Sequence, residues 1–318
     1  MAATIRPFTA SDYEGVARLW NTVHADDKLT AEEVAHHDAS FEPPYEFGRF
    51  VAEIAGELVG AATFEQHAGM YHPQKFYLDV HVYPEVEGQG VGRALYEQVL
   101  RAVAPFDPIA LRGQVKEHHE RARAFVKQLG FVEDKRDWDA ILHLESFDMA
   151  PFDGATEHLE AQGIVICSLA ELQSDPAMRR KFHALFSEVR RDAPRSEPAT
   201  PIPFDTFVKS VFEAPDFSLE GTFVALHEGD YVGLTQLWKG GATDELFTGL
   251  TGVKHRYRGK RIALALKLRA IAFAKEIGAP LIHTDNDTRN LAMLAINDKL
   301  GFVRQPARIS VVKELGRE

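Results

Sequence analysis

The chain repeats itself. "VYPEVEGQGVGRALYEQVLRAVA", from Val82, and "VKHRYRGKRIALALKLRAIAFAK", from Val253, share one pattern of strand end, turn and long helix. Gly92 stands 171 residues before Ala263, and Gly130 and Gly301, the glycines of two "LGFV" quartets, stand 171 apart as well. A third pair, Gly60 in "VAEIAGELVGAATF" and Gly233 in "FVALHEGDYVGLTQLW", agrees at 173. Three landmarks in one order restrict the chain to two copies of one fold. Its 318 residues suit that reading, since a domain runs to roughly 100–200 residues.

Each copy gives the same coarse reading. A helix with apolar residues three and four apart ("DYEGVARLWNTVH", "PAMRRKFHALFSEVRR") leads into two β-rich runs joined by a Gly-containing turn. A third strand follows ("KFYLDVHVY", "DELFTGLTGV"), then the turn, a long helix, a short strand ("PIALRG", "PLIHTDN"), another helix and a closing strand after LGFV. The fold class is α/β (α+β), with a mixed sheet flanked by helices in each half. The halves span 1–149 and 164–318, with a connector over 150–163 that holds a short helix after Pro151. "DAPRSEPATPIPF", Asp192 to Phe204, has no counterpart of that composition in the first half, and its prolines preclude a regular helix or central strand. It reads as an insertion over the cleft of the second half, or as a surface excursion.

The single cysteine, Cys167, excludes an intramolecular disulfide and a Cys-rich metal site, so no metal is expected and a reducing cytoplasm is. Cys167 lies in "GIVICSL" and reads as a strand residue rather than a nucleophile. The start of the chain lacks the basic and apolar blocks of a signal peptide, and no apolar run approaches the ~18 residues of a membrane span. A net charge of −11 argues against nucleic acid and for a small or cationic partner. "KHRYRGKR", Lys254 to Arg261, holds six basic residues in eight, counting His255, and asks for an anion.

The turns carry the chemistry. A helix N-terminus presents unpaired N–H groups and partial positive charge, which suits phosphate. Glycine lets a ligand approach the backbone and supplies positive φ. "EGQGVG" fits neither common phosphate loop: G-x-G-x-x-G ends on Arg93 or Leu95, and no Lys-Ser or Lys-Thr follows.

The stretch resembles motif A of the GNAT superfamily of N-acetyltransferases, [Q/R]-x-x-G-x-[G/A] after a strand ending in V-x-P. Val82, Pro84, Gly90 and Gly92 match it, while Gly88 lies outside it; in the second copy Val253, Arg258 and Ala263 match. "NDTRNLAMLAINDKLGF" resembles the family's later cofactor-side helix. The resemblance covers most of both halves and implies a tandem acetyltransferase with acetyl-CoA as cofactor and a small-molecule (or peptide) amine as acceptor. It implies cofactor contacts at His81, Val82 and Tyr83, then Gln89, Gly90, Val91, Gly92 and Arg93. In the second half it implies Gly252, Val253 and Lys254, then Arg258, Lys260, Arg261, Ile262, Ala263 and Leu264, with Asn290 and Asn297 on one face of the later helix.

Departures from the motif set the open question. Glu87 takes the Gln/Arg position of the first copy, which is unfavourable beside a pyrophosphate unless the side chain turns to solvent. Arg261 replaces the first glycine of the second, at a penalty of about 1 kcal/mol if positive φ is needed. The position where many members carry an acidic tyrosine holds Val126 or Asn297. Candidate proton-transfer groups are Asp79 and His81, which alternate onto one strand face, and Glu245 and Asn297 in the second half. Two other readings stand beside the enzyme: a degenerate acyl-CoA sensor or scaffold, and a mycothiol-synthase-like acetyltransferase. Two copies in one chain suit a monomer that mimics a dimer, or a homodimer.

Overall fold

The structure is a computed structural model that describes residues 3–316. The chain forms two compact units. The first gathers residues up to Arg136, the short segment Ser196–Pro201 and the chain from Arg308; the second comprises Asp137–Arg195 and Ile202–Ala307.

In the first unit, β1 (Thr4–Pro7), β2 (Phe47–Ile54), β3 (Glu57–Glu65) and β4 (Lys75–Val82) are successively antiparallel. β5 (Ala110–Lys116) then runs parallel to β4 and antiparallel to the last strand, β14 (Arg308–Glu314). Period-two alternation divides β4 between two layers. Phe76 and Leu78 pack with Leu95 and Val99 of helix α3 (Val91–Val103), which buries both at 0% exposure, on the face shared with α4 (Glu120–Gln128). Burial of each such side chain contributes about 1.5–3 kcal/mol. Lys75, Tyr77, Asp79 and His81 take the opposite face, toward α1 (Tyr13–Val23) and α2 (Ala31–Ala39), where Val16, Leu19 and Val34 pack on Val51 and Ala61. Helix α2 starts at a reciprocal cap between Thr30 and Glu33.

The second unit repeats this plan. β7 (Ile164–Ser168), β8 (Phe217–His227) and β9 (Asp230–Lys239) are antiparallel, and β10 (Leu246–Thr248) and β11 (Gly252–Val253) both pair with β9. β12 (Leu281–Asp287) lies parallel to β10 and antiparallel to β6 (Val132–His143); β13 (Val303–Arg304) also pairs with β6. The connector holds α5 (Glu157–Glu160), α6 (Met178–Val189) packs with α7 (Phe204–Phe207), and α8 (Ile262–Glu276) and α9 (Leu291–Lys299) follow the turn and β12. Among the described residues no helix is long and apolar enough to cross a membrane.

The compact units do not follow the repeat boundary. The closing strand of the first repeat, β6, gives its apolar face, Ala140 and Leu142, to the second unit's core, and β14 gives Ile309 and Val311 to the first. Neither strand's own residues name the unit that it joins, so the sequence pattern does not reveal the exchange. The Pro-rich stretch also departs from expectation. Its middle belongs to the first unit, where Glu197 meets Arg112 and Lys75.

Candidate active site

β4 and β5 keep parallel register only from Lys75/Ala110 to Tyr77/Arg112. Beyond Tyr77 the far edge of β4 has no strand partner among the described residues, although β3 holds its near edge through Val82. Gly113 stands at the fork, where a Cβ would lie 3.1 Å from the Leu78 carbonyl oxygen. The result is a splayed V whose β4 edge offers main-chain groups to a ligand. Gly60 explains its own landmark: a Cβ there would lie 3.0 Å from both the His81 carbonyl and Leu95. Its counterpart Gly233 makes the same room beneath Gly252 and Ile262.

At the end of β4 the chain turns into α3. Gly90 caps the helix at φ +87°, and the first helical bond runs from Ala94 N–H to the Gly90 carbonyl. That leaves the N–H groups of Val91, Gly92 and Arg93 pointing out of the helix end. A Cβ at Gly88 or Gly90 would meet nothing within 4 Å, so the space before the turn is open. Gly88, outside the family motif, adopts φ +78°, as does Gly259 in the second copy, so this glycine is a built part of the turn. Glu87 turns away and accepts a 3.0 Å ion pair from Arg121 on α4, which answers its charge. The Tyr83 N–H is already spent on the Val59 carbonyl, so of the implied strand contacts the His81 and Val82 backbone borders the V. These groups fit the pyrophosphate and pantetheine of acetyl-CoA.

The α1 face of the V concentrates titratable groups. His81 lies 3.7 Å from Asp79 and 3.4 Å from His24, the residue that ends α1, with Trp20 against both rings. Desolvation holds both imidazoles neutral, lowering His81 to about 4 and, with the help of His81 and Lys116, His24 to about 3. His81 Nε2 is buried without a hydrogen-bond partner. Desolvation and the nearby Glu65 carboxylate push Asp79 upward, although half of its side chain still meets water, which limits the effect. Glu65 is held low by His37 and His67, 3.3 and 3.0 Å away, which outweigh its burial. Asp38 is committed to Arg49, and Asp26 to Lys116. Asp79 differs from these carboxylates in that its close partner is a neutral imidazole, His81, while Arg49, His37 and His67 act on it from farther away. His24, Glu65, Tyr77 and Arg112 escaped the sequence reading; a Thr-x-x-Glu cap at Thr30 marked α2, and alternation back from Asp79 marked Tyr77.

The second unit treats the same positions differently. β10 and β12 are in register only at Leu246/Ile282 and Phe247/His283 before they part. Glu245 bonds His283 at 2.8 Å, and His283 stacks on Phe247. Gly252, the counterpart of His81 beside the strand-end valine, packs on α6: a Cβ there would lie 2.9 Å from that of Val189. Arg258 turns back to the Val253 carbonyl and pairs with Asp192. Arg261 caps α8 at φ +66°, and Ala265 N–H bonds its carbonyl, so Ile262, Ala263 and Leu264 present N–H groups as in the first copy.

The basic run is not simply waiting for an anion. Lys254 meets Glu188, Arg256 meets Asp230 and Arg258 meets Asp192, all within the same unit, while Lys260 lies over the Tyr257 ring. Asn290 caps α9 with its side chain. Asn297, 4% exposed, donates to Asn286 and leaves its Oδ1 buried and unpartnered. The two asparagines therefore do different work on one helix. Cys167 sits on β7, its thiol pushed up by burial and by Glu171.

The acetyltransferase (GNAT) family model matches the chain twice, over residues 13–131 and 182–302. A tandem GNAT protein from the clavulanic acid biosynthesis pathway, solved without AcCoA, superposes with a TM-score of 0.77 at 18% identity, covering 100% of both chains. A GCN5-related N-acetyltransferase from Sphaerobacter thermophilus gives 0.68 at 17% identity over 98% of this chain and 95% of that one. A glucosamine N-acetyltransferase region of a fungal multi-domain β-N-acetylglucosaminidase gives 0.70 at 14% identity, over 98% of this chain and 38% of that one. No curated protein matches the chain. With two family matches spread over both repeats and the splayed strands to go with them, the chain belongs to the GNAT acetyltransferase family as a tandem, two-domain member.

Proposed function

We propose that the chain is an acetyl-CoA-dependent N-acetyltransferase that acts on a small-molecule amine, with turnover in the first unit. The observation that carries this reading is Asp79, a carboxylate whose close partner is a neutral imidazole and which shares one end of β4 with the open V and the glycine-lined turn. Acetyl-CoA, when bound, supplies an activated acetyl thioester. The N–H groups of Val91, Gly92 and Arg93, with Gln89 and Gly90, hold its pyrophosphate, and the β4 edge from Leu78 to Val82 holds its pantetheine arm. Asp79 takes the proton from the acceptor ammonium, for which a carboxylate tuned toward neutrality is suited. His81 and His24, kept neutral, shape the approach without repelling a cation. In the second unit Val189 and Arg258 crowd the corresponding strand end, which favours a supporting role.

A second reading, an acyl-CoA sensor without turnover, draws on Val126, which gives the first unit no acid where many relatives have tyrosine. Acetyl-CoA titration followed by thiol release over a panel of amines separates the two. Tight binding with no amine-dependent thiol supports the sensor. Gly90→Trp abolishes cofactor binding and Ala263→Trp preserves it if the first cradle is the working one; the reverse result moves the reaction to the second unit.

A further inference from the structure

The segment Ser196–Pro201 belongs to the second repeat in sequence and to the first unit in space. It is tied at two places. Thr200 donates its N–H to Gly69 O at 2.9 Å and its hydroxyl to Ala68 O at 2.6 Å, and accepts from Tyr71 N–H at 2.9 Å. Glu197, 8% exposed, accepts from Lys75 Nζ at 2.8 and 2.9 Å and from Arg112 Nε at 3.0 Å, with a further short contact to Arg112 Nη2. Asp134 holds the other side of the guanidinium at 2.9 Å.

These contacts lie on the acceptor face. Lys75, Tyr77 and Asp79 share one side of β4, and Arg112 pairs with Tyr77 at the fork of the V. Lys75 stands about 13 Å from Asp79 at ~3.3 Å per residue, with Tyr77 between them. Tyr77, between the two on the same side of β4, reaches the Met70 sulfur at 3.7 Å and packs on His67 at 4.2 Å, next to the Ala68 and Gly69 carbonyls that hold Thr200. Without Glu197, the Lys75 ammonium and the Arg112 guanidinium would lose the carboxylate they share, and Asp134 would remain on the guanidinium alone. A buried carboxylate among cations adds little net stability, whereas the charge it cancels decides what can lie beside it.

We infer that Ser196–Pro201 is a wall of the first unit's acceptor cleft, and that Glu197 excludes acceptors carrying a carboxylate by occupying Arg112 and Lys75. The second repeat is then needed by the first for substrate choice. This inference rests on the N-acetyltransferase reading for its meaning, but its charge logic is measurable without turnover.

The test uses the full chain, with Glu197→Ala, the near-isosteric Glu197→Gln, and acetate as probe, after circular dichroism has established folding. Acetate should raise the melting temperature of Glu197→Ala saturably, leave the parent unmoved, and lose its effect when Arg112→Met is added. With paired acceptors that differ only by a carboxylate, phenethylamine and phenylalanine, the ratio of kcat/KM should shift toward the acid about tenfold or more in both variants, mainly through KM. A folded Glu197→Ala without an acetate response, or an unchanged acceptor ratio in active variants, overturns the inference. Absence of amine-dependent thiol from every variant counts instead against the N-acetyltransferase reading, and the acetate titration then decides alone.

Discussion

Val82 and Val253 close equivalent strands 171 residues apart, yet the residues just before them meet opposite surroundings. In the first unit His81 faces His24 and Trp20, and the half-exposed Asp79 carboxylate lies beside that imidazole. In the second, Gly252 is pressed against Val189, and a Cβ at Gly249 would run into Trp238. The two turns preserve the same backbone: both caps lie in the left-handed region, on glycine in one and arginine in the other. A repeated scaffold has thus kept its main-chain device twice while the side chains around it differ, and under the proposed function the proton acceptor lies at the first end. Helix N-termini recur whenever the backbone recurs, whereas a base needs one particular side chain in one particular environment.

The largest effect should come from Asp79. Asp79→Asn should lower kcat/KM by about 10²–10⁴-fold, while Glu245→Gln in the second unit should leave it within about twofold. The parent's kcat/KM should rise with pH along a limb above the ordinary carboxylate range and at or below about 7, because the base works only when ionised; Asp79→Asn should flatten that limb. A large loss from Glu245→Gln with none from Asp79→Asn would invert the comparison.

Gly252→Ala should come next. Its Cβ would stand 2.9 Å from that of Val189, so overpacking should cost about 1–3 kcal/mol by chemical denaturation, with little change in activity per folded molecule. No loss of stability would mean that the second strand end is looser than described. Arg261→Gly should have the smallest effect. Relief of the left-handed conformation, about 1 kcal/mol, is partly offset by the freer unfolded chain, for a net gain of about 0.5 kcal/mol in the unfolding free energy. Destabilisation would show instead that the arginine side chain contributes more than its backbone costs.

Much of the backbone plan was legible because it rests on local rules. The 3.6-residue pattern located α1, α3, α6 and α8, alternation put Asp79 and His81 on one face, and the repeat paired Gly90 with Arg261. Helix α2 was missed although its Thr30–Glu33 cap is a local signal. The third strand of the second copy was read as one run, but Gly249 and its neighbours break it into β10 and β11. Glu87 reads as unfavourable beside a pyrophosphate unless it turns to solvent, and it pairs with Arg121; the basic run reads as asking for an anion, and Glu188, Asp192 and Asp230 come beside it. The last two concern partners distant in sequence, whereas the first two lay in local signals.

The sequence by itself determined two copies of one fold, the strand–turn–helix device in each and the glycines that open it, since these follow from periodicity, turn chemistry and internal spacing. Only the tertiary structure decided that β6 and β14 change places, that Glu197 closes on Arg112 and Lys75, and what stands beside Asp79 and Glu245. The reason is physical: a strand's local pattern does not name the strand it pairs with, and a charge acquires its meaning from the groups that folding brings beside it.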